Sequence, residues 1–170
     1  MKKIFLFIIP ILVLFLSCQP MEDQIFTEEE AKVFLNRFME TVMNADTSLV
    51  GEMLHPDCVL RYPLLPEPIK GIDGYKAFIK TVPITFSEFK ATIEEVNVKG
   101  DRIWCRYTMT GINNGPLGDI PATGKKFQVT GMAITRILDG KIIEDDTYWN
   151  VLGFYQQLGF TLLPPKQEIE

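Results

Sequence analysis

The chain has 170 residues, enough for one domain and too few for two of full size. Its 17 lysines and arginines stand against 22 acidic residues, a formal charge of −5. No basic stripe interrupts that balance, which excludes a protein that tracks nucleic-acid phosphates. The single histidine, His55, excludes multi-histidine metal sites and argues against a Ser-His-Asp triad.

Lys2 and Lys3 open the chain, and residues 4–16 are apolar apart from Pro10. Ser17 and Cys18 follow. A basic start, a short apolar run and a small residue at the cut describe a secretory signal over residues 1–17, too short for a comfortable membrane span. Phe15-Leu16-Ser17-Cys18 resembles the bacterial lipobox, which implies that the Cys18 thiol is acylated and becomes the new N-terminus. The expected location is the bacterial cell envelope, with the protein lipid-anchored and periplasmic or surface-exposed. Residues 18–26 then form the lipidated cysteine and a tether, 27–160 the domain, and 161–170 a flexible tail. Cys58 and Cys105 remain, in a compartment that permits a disulfide. The favoured reading is two buried free thiols on different strands, and the absence of CxxC argues against a redox or zinc role.

Thr27-x-x-Glu30 is a capping box, and Ala31, Phe34, Leu35, Phe38 and Val42 recur at helical spacing, so residues 28–44 are predicted to form an amphipathic helix. Asp46 is placed to cap a second, short helix through Leu54, ended by Pro56. Cys58–Tyr62 reads as a strand, stopped by a turn rich in proline (Pro63, Pro66, Pro68). Ile72 to Val82 reads as a third helix that Pro83 closes. Residues 87–98 and 102–112 flank Gly100-Asp101 as a hairpin, and a loop spans 113–124. Residues 126–138 and 141–150 flank Asp139-Gly140 as a second hairpin with a strong turn signal. A last amphipathic turn runs from Val151 to Leu158. Helices followed by long antiparallel strands imply an α+β fold, helices packed on one face of a curved sheet whose mouth can hold an apolar ligand.

If Asp139 and Gly140 are the two loop residues, Leu138 pairs with Lys141. Strand alternation then sets Val129, Gly131, Ala133 and Thr135 opposite Asn150, Tyr148, Asp146 and Glu144 on one face, the candidate cavity wall. The other face carries Met132, Ile134 and Arg136 with Ile143, Asp145, Thr147 and Trp149, and is the candidate contact for a second subunit.

A set of short motifs occurs in one order along the second half. They are Gly100-Asp101-Arg102-Ile103, Thr110-Gly111, Pro121-Ala122-Thr123-Gly124-Lys125, the run from Arg136 to Glu144, and Gln156-Gln157-Leu158-Gly159. Together they resemble the SnoaL-like polyketide cyclase (ester cyclase) family of the NTF2-like superfamily. Upstream, Leu54-His55-Pro56-Asp57 and the run Gly71 to Phe78 fit the same family, so the resemblance covers about residues 27–160. It implies an NTF2-like cone-shaped barrel of three N-terminal helices on a mostly antiparallel sheet, often a homodimer through the outer sheet face. It also implies a hydrophobic pocket and, in active cyclases, an intramolecular aldol closure without metal or cofactor. There a carboxylate near the end of the last strand removes a proton from carbon. The resemblance implies an aromatic two residues after Glu144 and the catalytic aspartate six residues after it, where this chain has Asp146 and Asn150. It implies Gly-Thr-His where this chain has Gly111-Ile112-Asn113. Two implied proton-handling positions are therefore amides.

The candidate site follows from these placements. Asn150, Tyr148, Asn113 and Arg61 are candidate ligand-binding residues. Asp146 is the candidate substitute base, with Arg61 or Tyr148 as its partner, and His55 a candidate acid–base group. Gly118 to Lys126 lacks phosphate-loop spacing and leads into a strand, and no GxSxG is present. Three readings are open: a membrane-anchored domain that binds a small hydrophobic molecule without strong catalysis, which is preferred; a cofactor-independent cyclase or isomerase using Asp146 or His55; and an interaction module working through Met132, Ile134 and Trp149.

Overall fold

The structure, a computed structural model, describes residues 25–163. The expected signal segment, Cys18, most of the tether and the end of the tail lie outside the described residues. Helix α1 (Glu28–Met43) starts where the capping box requires. Thr27 Oγ1 accepts from the Glu30 N–H at 3.3 Å, and the Glu30 carboxylate accepts from the Thr27 N–H at 2.8 Å. These bonds hold the Glu30 carboxyl below its usual range. The apolar stripe of α1 buries Ala31, Leu35, Phe38 and Val42.

Helix α2 (Val50–Met53) is shorter than the sequence suggests. Asp46 does not cap it: its carboxylate accepts from the Ser48 N–H and Oγ at 2.8 and 2.7 Å, a local turn that competes with the helix start. Strand β1 (Leu54–Arg61) begins earlier than Cys58, so His55 and Pro56 stand inside it. A two-residue strand β2 (Ile69–Lys70) leads into α3 (Gly71–Thr85). Pro83 lies within the last turn of α3 and does not end it, because a proline so close to a terminus disturbs only that turn.

Strands β3 (Phe86–Lys99) and β4 (Arg102–Asn113) form the first hairpin, and β5 (Lys126–Leu138) and β6 (Lys141–Trp149) the second. Asp139 and Gly140 both hold positive φ, 51° and 73°, as a two-residue turn of the I′ kind demands. A short helix α4 (Val151–Gln157) closes the domain. The six strands run β2-β1-β6-β5-β4-β3. All neighbours are antiparallel except β1 and β6. This is the expected α+β architecture, with α1 and α3 packed on the concave face.

The core fills the space between helices and sheet. Phe38 of α1 stacks on Tyr75 of α3 with ring centres 5.4 Å apart, above Leu60, Ile103, Ala133 and Ile137 of the sheet. A second apolar cluster (Phe127, Val129, Phe154, Leu158) fills the α4 end. Phe86, Phe89, Met109 and Trp149 are half-buried and border both clusters. Cys58 and Cys105 are buried free thiols on β1 and β4, as the sequence suggests. Burial pushes both thiols up, Cys105 to about 12.

Candidate functional site

The site is decided by one extra residue in β6. Leu138 pairs with Lys141 and Ile137 with Ile142, but Arg136 pairs with Glu144, so Ile143 is a bulge. Ile142 and Ile143 are consecutive and both buried, which an unbroken pleat does not allow on a one-sided sheet. Beyond the bulge every β6 side chain changes face. Asp145, Thr147 and Trp149 join Thr135, Ala133 and Gly131 on the concave face, while Glu144, Asp146 and Tyr148 join Arg136, Ile134 and Met132 on the convex one. The face assignment drawn from unbroken alternation is therefore corrected.

The concave face reads as cross-strand rows. Ile103, Thr135 and Asp145 form one; Cys105, Ala133 and Thr147 the next; Tyr107, Gly131 and Trp149 a third. Asp145 is 3% exposed. Its carboxylate accepts from Thr135 Oγ1 at 2.7 Å and from Thr147 Oγ1 at 3.3 Å. Burial raises its pKa to about 6, against the lowering by the two threonine bonds, and Asp146 nearby adds to the rise. No lysine, arginine or histidine is among the buried polar side chains of the described residues. Asp145 is thus a carboxylate held by hydroxyls alone, a poised proton acceptor near neutral pH.

Tyrosines surround it. Asp145 acts electrostatically on Tyr62, Tyr75 and Tyr107, and burial raises all three phenols above their usual range. The hydroxyls of Tyr75 and Tyr107 are buried and make no hydrogen bond of normal geometry, although the hydroxyls of Thr41 and Tyr62 lie close to that of Tyr75 and the hydroxyl of Thr147 close to that of Tyr107. Tyr107 faces Gly131, where a Cβ would lie 2.5 Å from its hydroxyl oxygen. Glycine is needed there so that the tyrosine ring can lie across β5.

The residues singled out from the sequence fall elsewhere. Asp146 pairs with Arg61 at 2.8 Å on the convex face, with side chains 30% and 50% exposed. Tyr148 is on that face and exposed. Arg61 therefore partners Asp146 as expected, but outside the cone. Asn150 is the N-cap of α4, its Oδ1 accepting from the Gly153 N–H at 2.8 Å. Asn113 is fully buried and serves the loop between β4 and β5. It accepts from the N–H and hydroxyl of Thr123, both at 2.9 Å, and donates to the Gly115 carbonyl at 2.7 Å. His55 Nδ1 accepts from the Asp57 N–H at 3.2 Å, within β1. Asp145 escapes a sequence reading that assumes regular pleating; the Ile142-Ile143 pair marks the place of the bulge but does not by itself tell it from a strand buried on both faces.

Two shallow clefts lie outside this interior. One, about 380 Å³, is lined by Glu88, Ile112, Lys126 and Gln157; the other, about 460 Å³, by Arg106, Met132, Tyr148 and Asn150.

An α+β domain that wraps a curved sheet and two helices around a sequestered acid is NTF2-like in class. A hypothetical protein of Catenulispora acidiphila with a ketosteroid isomerase-like fold shares this architecture, with a TM-score of 0.65 at 14% identity over 77% of this chain and 97% of that one. The chain belongs to the SnoaL-like polyketide cyclase family, whose pattern matches residues 33–158. It is 30% identical over 128 residues to aklanonic acid methyl ester cyclase DnrD of Streptomyces peucetius, covering 74% of this chain and 88% of that protein. TsrD from Streptomyces laurentii is 27% identical in a structural match with a TM-score of 0.69, over 79% of this chain and 98% of that one.

Proposed function

We propose that this domain moves a proton on a small apolar carbonyl compound without a cofactor, with Asp145 as the base, and that a lipid on Cys18 holds it at the bacterial cell envelope. The observation that carries the reading is the burial of Asp145 with two threonine hydroxyls and no cation. A carboxylate in that setting is desolvated, raised to about 6, and still ionised at neutral pH. It takes a proton from the carbon beside a carbonyl, and the electron pair moves onto the carbonyl oxygen. The proton returns at another carbon or at the oxygen formed by ring closure. Asn113 and Asn150, at the two positions where the family resemblance implies proton-handling groups, are committed to backbone hydrogen bonds. The chemistry is thus assigned to a different position, Asp145 within β6, and the relatives' cyclase names favour this over binding alone.

The test is uptake of deuterium from D₂O by 2-tetralone, followed by proton NMR. The full chain should accelerate exchange, and Asp145→Asn should lower the rate about 10²- to 10⁴-fold. Equal rates in the two proteins would overturn the assignment. For the anchor, the mass of the mature chain should carry acyl groups that Cys18→Ser removes.

The convex face supports a second reading, contact with another copy of the chain. Met132 and Tyr148 are 52% and 61% exposed there, beside Ile134 and Trp104. Trp149, expected in that surface, instead packs inward on Phe154. A monomer by sedimentation would remove this reading.

A further inference from the structure

We propose that the hydroxyls of Tyr75 and Tyr107 are the polar anchors of an interior ligand site, and that this site takes neutral, hydrogen-bond-accepting molecules and excludes anions. The inference shares its location with the Asp145 reading, but it concerns binding and holds whether or not a proton is moved.

The two hydroxyls are the buried side-chain oxygens left without partners among the described residues. Tyr75 is 0% and Tyr107 2% exposed. A buried hydroxyl with no partner destabilises the fold by about 1–3 kcal/mol, and phenylalanine would fill the same space without that penalty. Both rings are firmly placed. Tyr75 stacks on Phe38 at 5.4 Å and tilts against Phe78 at 6.1 Å. Tyr107 lies across Gly131, the one residue type that leaves its hydroxyl room.

Charge decides what they bind. Both phenols are held above their usual range by burial and by Asp145, so both stay protonated and each keeps an O–H to donate to an acceptor oxygen of a ligand. Tyr62 lies within electrostatic reach of both, and Asp145 of all three, so these groups share one region of the interior. The buried polar and charged side chains of the described residues are Thr41, Thr85, Asn113, Thr135 and Asp145. An anionic ligand there would meet a carboxylate and no cation, whereas a ketone oxygen would meet two donors.

The test compares two probes of one shape, 2-acetylnaphthalene and 2-naphthoate, by calorimetric titration of the full chain at neutral pH. The ketone should bind at least about tenfold more tightly than the acid. Tyr75→Phe and Tyr107→Phe should each weaken ketone binding about three- to tenfold, while the unliganded variants unfold at the same or higher denaturant concentration. Weaker binding with undiminished stability separates an anchor from a packing residue. The proposal is overturned if both variants bind as the wild type does, or if affinity and stability fall together. It is equally overturned if the acid binds as tightly as the ketone, or if the wild type shows no saturable ketone binding up to about 1 mM. Because binding is read without turnover, loss of the Asp145 reading by deuterium exchange leaves this result standing, and the reverse also holds.

Discussion

Replacing Asp145 by asparagine should stabilise the protein at neutral pH. The folded chain raises this carboxyl from 3.8 to about 6, while the unfolded chain leaves it at its ordinary value. The folded state therefore holds the proton more tightly. Stability from this group is fully present below pH 3.8, declines as pH rises between 3.8 and about 6, and stays lost above that. The difference of about two pH units corresponds to about 3 kcal/mol, or a shift in Tm of about 10 °C for a domain of this size. Asparagine keeps the shape, accepts from one threonine hydroxyl and donates to the other, and carries no charge at any pH. Urea titrations of both proteins from pH 4 to 8 should show equal stability at pH 4 and a gap that opens to about 3 kcal/mol by pH 7.5. Other carboxyls titrate alike in both and cancel from the difference. A gap that does not change with pH, or an asparagine variant less stable at pH 7.5, would refute the claim that an uncompensated charge is buried here.

Gly131→Ala places a methyl group 2.5 Å from the Tyr107 hydroxyl and 2.7 Å from the Tyr148 carbonyl, so it should destabilise by about 2–4 kcal/mol and broaden Tyr107 ring signals in NMR spectra. Asn113→Ala leaves the Thr123 N–H and the Gly115 carbonyl without their partner, and should cost about 2 kcal/mol with faster amide exchange confined to residues 113–125. Arg61→Ala breaks a largely exposed ion pair and should change stability by less than about 1 kcal/mol in urea titrations, with deuterium exchange into 2-tetralone unaffected. Cys58 and Cys105 should resist alkylation in the folded chain and react fully in urea, since both are buried and their thiols are pushed up.

The fold was legible because its signals are local. Thr27 and Glu30 cap a helix by chemistry confined to one turn, and Asp139-Gly140 can hold two positive φ angles, so both mark their elements without tertiary information. The site was less legible because a strand has a period of two. A single bulged residue, Ile143, carries Asp146 and Tyr148 out of the cone and brings Asp145, Thr147 and Trp149 into it. Nothing in Ile142-Ile143 alone distinguishes a bulge from a strand buried on both faces. Asn113 and Asn150 illustrate the other limit. Whether an amide meets a ligand or a backbone N–H depends on loop geometry that spacing does not encode, and here both amides serve the backbone. The hydroxyls of Tyr75 and Tyr107 are a further case, since helix and strand periodicity bury the rings without stating what the oxygens meet.

The most direct measurement is the titration of the Asp145 carboxyl itself, followed by the ¹³C shift of its side chain in the folded protein. An inflection near pH 6 is expected, with the carboxylate ionised above it and the resonance lost to mutation in Asp145→Asn. An inflection at or below the ordinary value of 3.8 would contradict the reading of Asp145 as a desolvated base and leave the interior without its proton acceptor.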